Sequence, residues 1–166
     1  MNDVEIRKAS LNDVRNIAKL NDEVYKNMVE GRKEFFKPCS ESPDMTEFFE
    51  KTIEENEALI VVAEIDGDFA GYVYASIIDE QDDLIDIPFV MVDQIAVVKD
   101  MRGFGIGKNL LSKAEQWAID KGINVVQLGV FEMQNEAIKL YEKRGYKPIM
   151  RKMEKVLNQK NFDKSV

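Results

Sequence analysis

Lys99 to Leu111 reads KDMRGFGIGKNLL, with Gly103, Gly105 and Gly107 at alternate positions just ahead of an amphipathic run. Glycine weakens helices and strands, so three in such a row are useful only where the backbone itself has a task. The preceding PFVMVDQIAVV (Pro88 to Val98) is a long, mostly apolar strand, and the run after the glycines is a helix to about Lys121, closed by Gly122. Strand, glycine loop and helix form one unit, a place where ligands commonly bind.

The familiar phosphate loops can be tested against this stretch. G-x-G-x-x-G fails because the third glycine falls at Lys108, and the P-loop pattern fails because Arg102 and Asn109 occupy positions that need Gly and Ser or Thr. R-x-x-G-x-G does fit, with Arg102, Gly105 and Gly107. There Gly105 and Gly107 let the backbone approach a phosphate, and the first-turn N–H groups and the helix dipole favour its charge. Arg102 and Lys108 add full positive charges. A glycine-rich turn that only packs helix against sheet would use the same residues, so the loop does not decide by itself.

Outward from this unit, VEIRKA (Val4 to Ala9) alternates as a first strand, and Ser10 with Asp13 resembles a capping box opening a helix. Val14, Ile17, Ala18, Val24, Tyr25 and Met28 keep helical spacing, and Met45 to Glu55 reads as a second helix. ALIVVAEIDGDFAGYVYASII is a hairpin turning at Asp66-Gly67. NVVQLGVF is a strand, NEAIKLYEKR a helix ended by Gly145, and YKPIMRKMEKVL one or two final strands. The order β-α-α-β-β-β-α-β-α-β places the chain in the α/β (α+β) class with a mixed sheet, and no linker divides residues 1–166, so one domain is expected.

The 166 residues are 45% apolar and 33% charged, the profile of a soluble globular protein. No apolar run approaches the roughly 20 residues of a membrane helix, and the N-terminus lacks a signal-peptide core, so the expectation is cytoplasmic with no membrane partner. Cys39 is the single cysteine and histidine is absent, which removes Cys-rich zinc sites and the commonest general base; no metal is expected. A net charge of -8 argues against nucleic acid. Glu41 to Glu57 holds seven acids against Lys51, and Asp79 to Asp86 five acids and no base, whereas Lys99 to Lys113 holds Lys99, Arg102, Lys108 and Lys113 against Asp100. One region suits an anion and the others a cation, although solvated loops explain the acids equally simply.

QNEAIKLYEKRGY (Gln134 to Tyr146) lies one helix and one strand beyond the loop. Strand, R-x-x-G-x-G, helix, strand, then A-x-x-x-Y-x-x-x-G-[FY] resembles the GNAT superfamily of N-acetyltransferases, through Arg102, Gly105 and Gly107 and then Ala137, Tyr141, Gly145 and Tyr146. The family usually has asparagine three residues before that alanine; here Gln134 stands there and Asn135 follows it.

The resemblance implies a mixed, mostly antiparallel sheet flanked by about four helices, its central strands splayed to admit acyl-CoA. It implies an acetyl-CoA-dependent N-acetyltransferase in which a primary amine attacks directly within a ternary complex. A non-catalytic acyl-CoA-binding or regulatory domain is the alternative. In the family pattern the amides of Gly103, Phe104, Gly105, Ile106, Gly107 and Lys108 hold the coenzyme A pyrophosphate, with Arg102 nearby. The strand segment from Gln94 through Ile95, Ala96 and Val97 pairs with the pantetheine arm, and Gln134 or Asn135 contacts that arm. Tyr141 donates a proton to the departing thiolate.

The general base is less legible. Asp93 is the candidate, directly or through water; strand alternation leaves open whether it or Gln94 faces outward. Glu132 is a lesser candidate for binding the amine. The acceptor, a small-molecule or peptide amine, falls to the N-terminal helices and the loops NMVEGRKEFFKPCSESP and DEQDDLIDIP. Tyr25, Phe35 and Phe36 beside many acids suit a cationic amine: a polyamine, an aminosugar, a lysine or an N-terminal amine. Cys39, with no histidine to activate it, is incidental. A homodimer follows from family habit alone.

Overall fold

The computed structural model describes residues 4–32, 36–37, 44–79, 87–155 and 157; Phe35, Cys39 and most of the acidic loop after Asp79 lie outside them. Five strands pair in chain order into one sheet: β1 (Val4–Lys8), β2 (Leu59–Ile65), β3 (Asp68–Ile78), β4 (Phe89–Val97) and β5 (Val126–Leu128). The first three pairings are antiparallel and β4 with β5 is parallel, which gives the mixed sheet of the sequence reading. Four α-helices accompany it: α1 (Val14–Gly31), α2 (Thr46–Glu55), α3 (Ile106–Asp120) and α4 (Asn135–Lys143).

Local chemistry explains the element ends. Asp66 and Gly67 both take positive φ, 52° and 87°, the conformation a two-residue hairpin needs to match strand twist. Gly122 at φ 74° and Gly145 at φ 91° follow α3 and α4, where the left-handed conformation stops a helix. The Ser10 amide donates to Asp13 Oδ2 at 2.8 Å within the expected capping box; the turn that follows is a short 3-10 segment, Leu11–Asp13, before α1 begins.

Two compact units make up the chain: Met1–Val24 with Asp44–Gly129, and Tyr25–Pro43 with Val130–Val166. In the first, Ile60 and Val62 of β2 and Tyr72 of β3 pack with Val14, Ile17, Ala18 and Leu20 of α1 and Phe49 of α2. The alternate residues Val61, Ala63, Val73 and Ala75 are buried too, so both faces of the sheet are covered. The second cover is α3, which packs along β4, β3 and β2 through Leu110, Leu111, Ala114 and Ala118. Arg7 of β1 forks onto Asp13 with two bonds of 2.8 Å and also pairs with Glu64 of β2, tying the start of α1 to the sheet.

In the second unit Tyr25, Phe36 and Phe131 meet edge to face, with centroids 6.0 Å and 5.3 Å apart, and Arg32 pairs with Glu154. One expectation fails here. The segment 146–155 forms no strand, and Ile149, Met150 and Met153 are exposed. Pro148 lacks the N–H a ladder requires, which works against pairing at the segment's start. NVVQLGVF is likewise shorter than expected, with only Val126–Leu128 extended and Gly129 following.

Candidate cofactor and active site

The fourth strand carries the decisive irregularity. Tyr74 pairs with Gln94, but the next residue of β3, Ala75, pairs with Val92, so Asp93 is an extra residue bulged out of the ladder. The bulge changes which peptide groups face which neighbour. Val90 N–H donates to Val125 O at 2.9 Å, on the β5 side, whereas Val98 N–H donates to Ala70 O at 2.9 Å, on the β3 side. Counting back by twos from Val98, Ala96 and Gln94 also bond toward β3, and the peptide groups of Ile95 and Val97 face away from it.

On that side β5 has already ended. Its pairing with β4 runs only from Val90–Val126 to Val92–Leu128. Beyond Val92 the described β4 edge is open, with the N–H and C=O groups of Ile95 and Val97 directed into the opening. Of the three strand residues expected to bind cofactor, these two present their backbone to the opening, while Ala96 bonds toward β3 and is buried.

The glycine loop follows directly. Gly103 at φ 89° and Gly105 at φ 79° use the conformation that glycine alone adopts without strain, and Gly105 caps α3. The first helical bond runs from Asn109 N–H to Gly105 O, 3.0 Å, so the amides of Ile106, Gly107 and Lys108 precede it and project from the helix start. Gly107 itself lies inside α3. Arg102 Nε donates to Val97 O at 3.2 Å, joining the loop to the open edge. Phe104 is 58% exposed at the loop tip, whereas Ile106 is buried and anchors the helix. First-turn amides, the helix dipole and the charges of Arg102 and Lys108 are all groups that favour an anion.

Asp93 stands on the α1/α2 side of the sheet. Tyr72, Tyr74 and Ser76 share one face of β3 by alternation, and Tyr72 and Tyr74 meet Phe49 and Phe48 of α2 there, with centroids 5.9 Å and 5.5 Å apart. The Tyr72 hydroxyl donates to Gln94 Oε1 at 2.8 Å, and the Ser76 hydroxyl to Asp93 Oδ2 at 2.7 Å. Both Asp93 and Gln94 therefore reach the same face, an arrangement a regular strand forbids.

Asp93 is exposed by area, yet enough protein surrounds its carboxyl that desolvation raises its pKa, against the lowering effect of the Ser76 hydroxyl. The Tyr74 phenol is also raised, by burial first and then by the Asp93 charge. Tyr72 rises through burial and then the charge of Asp22 on α1. None of these neighbours was singled out by the sequence reading. No signal in the sequence could have found them, since β4 is apolar at every position except Asp93 and Gln94; only the pairing with β3 shows that Val90, Val92, Ile95 and Val97 share a face across Asp93.

The remaining expected residues belong to the second unit. Tyr141 on α4 is 8% exposed, its ring centroid 6.0 Å from that of Tyr146, and burial raises its pKa. Gln134 Oε1 accepts the Phe131 N–H at 3.1 Å, closing the turn before α4, while Asn135 is exposed as the first helical residue. Glu132 is exposed with Arg151 Nε 3.9 Å away. Among the described residues no cluster of His, Cys, Asp and Glu could hold a metal ion, and no helix is long and apolar enough to cross a membrane.

Comparison with known proteins gives these features a context. The model of the acetyltransferase (GNAT) family matches residues 25–146. An uncharacterised N-acetyltransferase of Lactobacillus delbrueckii subsp. lactis is 30% identical over 111 residues, 61% of this chain and 64% of that protein. An N-alpha-acetyltransferase of Sulfurisphaera tokodaii is 35% identical over 108 residues, with the same two coverages. The match thus spans just under two thirds of either relative. Among solved structures, an aminoglycoside N-acetyltransferase in complex with CoA superposes with a TM-score of 0.74 at 16% identity, over 94% of this chain and 95% of that one, a likeness of fold.

Proposed function

Because the chain belongs to the acetyltransferase (GNAT) family, we propose that it moves an acetyl group from acetyl-CoA to a primary amine by direct attack within a ternary complex. The observation that carries this reading is the family match over residues 25–146, which contains both the open β4 edge and the glycine loop. The geometry of the first unit supports it. The amides from Gly103 to Lys108, with Arg102, take the pyrophosphate, and the peptide groups of Ile95 and Val97 pair with the pantetheine arm as a further strand would. The family pattern points to Gln134 or Asn135 for the cofactor arm; Gln134 is engaged in its own turn, and the exposed Asn135 is the one we assign.

The chemistry follows from the residue types. The neutral amine nitrogen attacks the thioester carbon, a backbone N–H stabilises the developing oxyanion, and the C–S bond breaks as the amide forms. Asp93, directly or through a water, takes the proton lost by the amine. Its raised pKa brings it nearer to the range in which a base works at neutral pH. Tyr141 gives its phenolic proton to the departing thiolate, a role resting on the family pattern alone. The acceptor is a small-molecule or peptide amine, and Tyr25, Phe35 and Phe36 in a chain rich in acids suit a cationic one. One relative is named an N-alpha-acetyltransferase and a structure of like fold an aminoglycoside N-acetyltransferase, so a peptide amine and an aminosugar both belong on the acceptor panel.

The test has two stages. Calorimetric titration with acetyl-CoA, against ATP and NAD, should give selective binding in the micromolar range. Thiol release is then measured with spermidine, neamine and a lysine-containing peptide as acceptors. Absence of acetyl-CoA binding by two probes removes the enzyme reading. Binding without turnover on a broader amine panel turns the assignment to the non-catalytic alternative.

A further inference from the structure

We propose that Ser76 is a positioning residue for Asp93: its hydroxyl, donated to Oδ2 at 2.7 Å, holds the bulged carboxylate in one orientation and sets the pH at which it can accept a proton. This deepens the proposed function, since it rests on Asp93 acting as the base.

Three observations lead to it. Asp93 is the inserted residue of the bulge, so no cross-strand partner lies opposite to restrict its side chain. An exposed aspartate in that situation samples several rotamers, and a base that wanders loses the alignment proton transfer needs. Ser76 pairs across the ladder with Met91, two residues before Asp93, and its side chain lies on the same face as Tyr74. From there it reaches Asp93 with the shortest hydrogen bond around the bulge.

The surroundings leave Ser76 as the local control on the carboxylate. Among the described residues the titratable groups on this face are Tyr72 and Tyr74 on β3, the latter feeling the Asp93 charge, and Asp22 on α1, whose charge acts on Tyr72. From α2 come Phe48 and Phe49, and from β4 the neutral Gln94, bound to Tyr72. None of these is a cation. Desolvation by this wall and the hydroxyl of Ser76 act on Asp93 in opposite directions, so removing the hydroxyl leaves the raising effect less opposed.

The test compares Ser76→Ala, Ser76→Thr and Asp93→Asn, each first checked for an unchanged thermal midpoint. The Asp93 carboxyl carbon is titrated by NMR, assigned through its loss in Asp93→Asn, which needs no acceptor. The Asp93 midpoint is expected to move upward in Ser76→Ala and to return toward the parent value in Ser76→Thr. With whichever of spermidine, neamine or the lysine peptide turns over, kcat/KM near pH 6 should fall about threefold to tenfold in Ser76→Ala, its acid limb moving up with the midpoint while acetyl-CoA affinity stays put. An unmoved midpoint in Ser76→Ala overturns the positioning role while leaving Asp93 as base intact. Protonation of the acceptor amine gives every variant some acid limb; one that keeps the parent's midpoint and steepness in Asp93→Asn overturns Asp93 as base, and the proposal with it.

Discussion

A Cβ placed on Gly71 would stand 2.4 Å from the carbonyl oxygen of Ala96. The two strands approach this closely where Gly71 of β3 pairs with Val97 of β4, at the end of the open edge. Backbone, unlike a flexible side-chain tip, cannot swing aside, so Gly71→Ala must push β4 outward. The expected cost is about 1–3 kcal/mol, as for other overpacked positions. Chemical denaturation measures it, and weaker acetyl-CoA binding in the same variant checks that the displaced segment is the cofactor-pairing one. Wild-type stability would show that the strands separate freely at this point.

The glycine loop predicts a contrast between two substitutions. Open space surrounds the Gly105 Cβ direction, so the obstacle to a side chain there is φ 79° rather than a clash. Gly105→Val, β-branched and strained at positive φ, should abolish acetyl-CoA binding by blocking the phosphate approach and distorting the start of α3. Gly105→Asn, which tolerates the left-handed conformation better, should retain more helix stability while still losing affinity. Calorimetry and thermal melts separate the two effects.

Tyr141→Phe should lower turnover by roughly tenfold or more while leaving acetyl-CoA affinity nearly unchanged. Burial raises the Tyr141 pKa above its ordinary value near 10, so the phenol stays protonated through neutral pH. The alkaline limb it controls should lie higher than that of a free phenol and vanish in the phenylalanine variant. Full activity in Tyr141→Phe on a good acceptor removes the residue from the mechanism.

Acid sensitivity should trace partly to Asp13. Its bonds to Arg7, and to Ser10, hold its pKa at about 2 in the folded chain, against its ordinary 3.8. A depressed carboxyl contributes stability above its unfolded pKa, and the contribution drains away as pH falls from about 4 to about 2. The Arg7 side chain is 36% exposed, so solvent screening trims the value to about 1–2 kcal/mol. Urea unfolding of Asp13→Asn and the parent at pH 7 and pH 2.5 should show a gap that closes at the lower pH. A gap independent of pH would mean the pair acts through packing.

Much of the fold could be read from residues whose backbone demands are unusual. Asp66-Gly67, Gly103, Gly105, Gly122 and Gly145 all sit at positive φ, and each marks a turn or helix end that the reading placed correctly. The glycine loop was legible for the same reason. What escaped was cooperative. A bulge depends on two strands at once, and the parity change from Val92 to Ile95 gains meaning only when β3 is laid beside it. The Arg7 fork likewise joins residues distant in sequence, Asp13 and Glu64. Final strands were expected from the apolar content of the segment after Tyr146, but apolar content does not supply a pairing edge, and Pro148 withholds a donor.

The extra residue in β4 also makes the chain's length, as well as its spelling, a sensitive quantity at this point. Replacing Asp93 with another residue leaves an insertion in place, and with it the outward-facing peptide groups of Ile95 and Val97. Deleting it would set Val92 and Gln94 side by side opposite Ala75 and Tyr74, closing the ladder into a regular one: the peptide groups of Ile95 and Val97 would keep their outward direction, and the side chain beside Ser76 would be lost. A lineage exploring this position by substitution can vary the chemistry beside Ser76, whereas one exploring it by deletion keeps the strand pairing and gives that chemistry up.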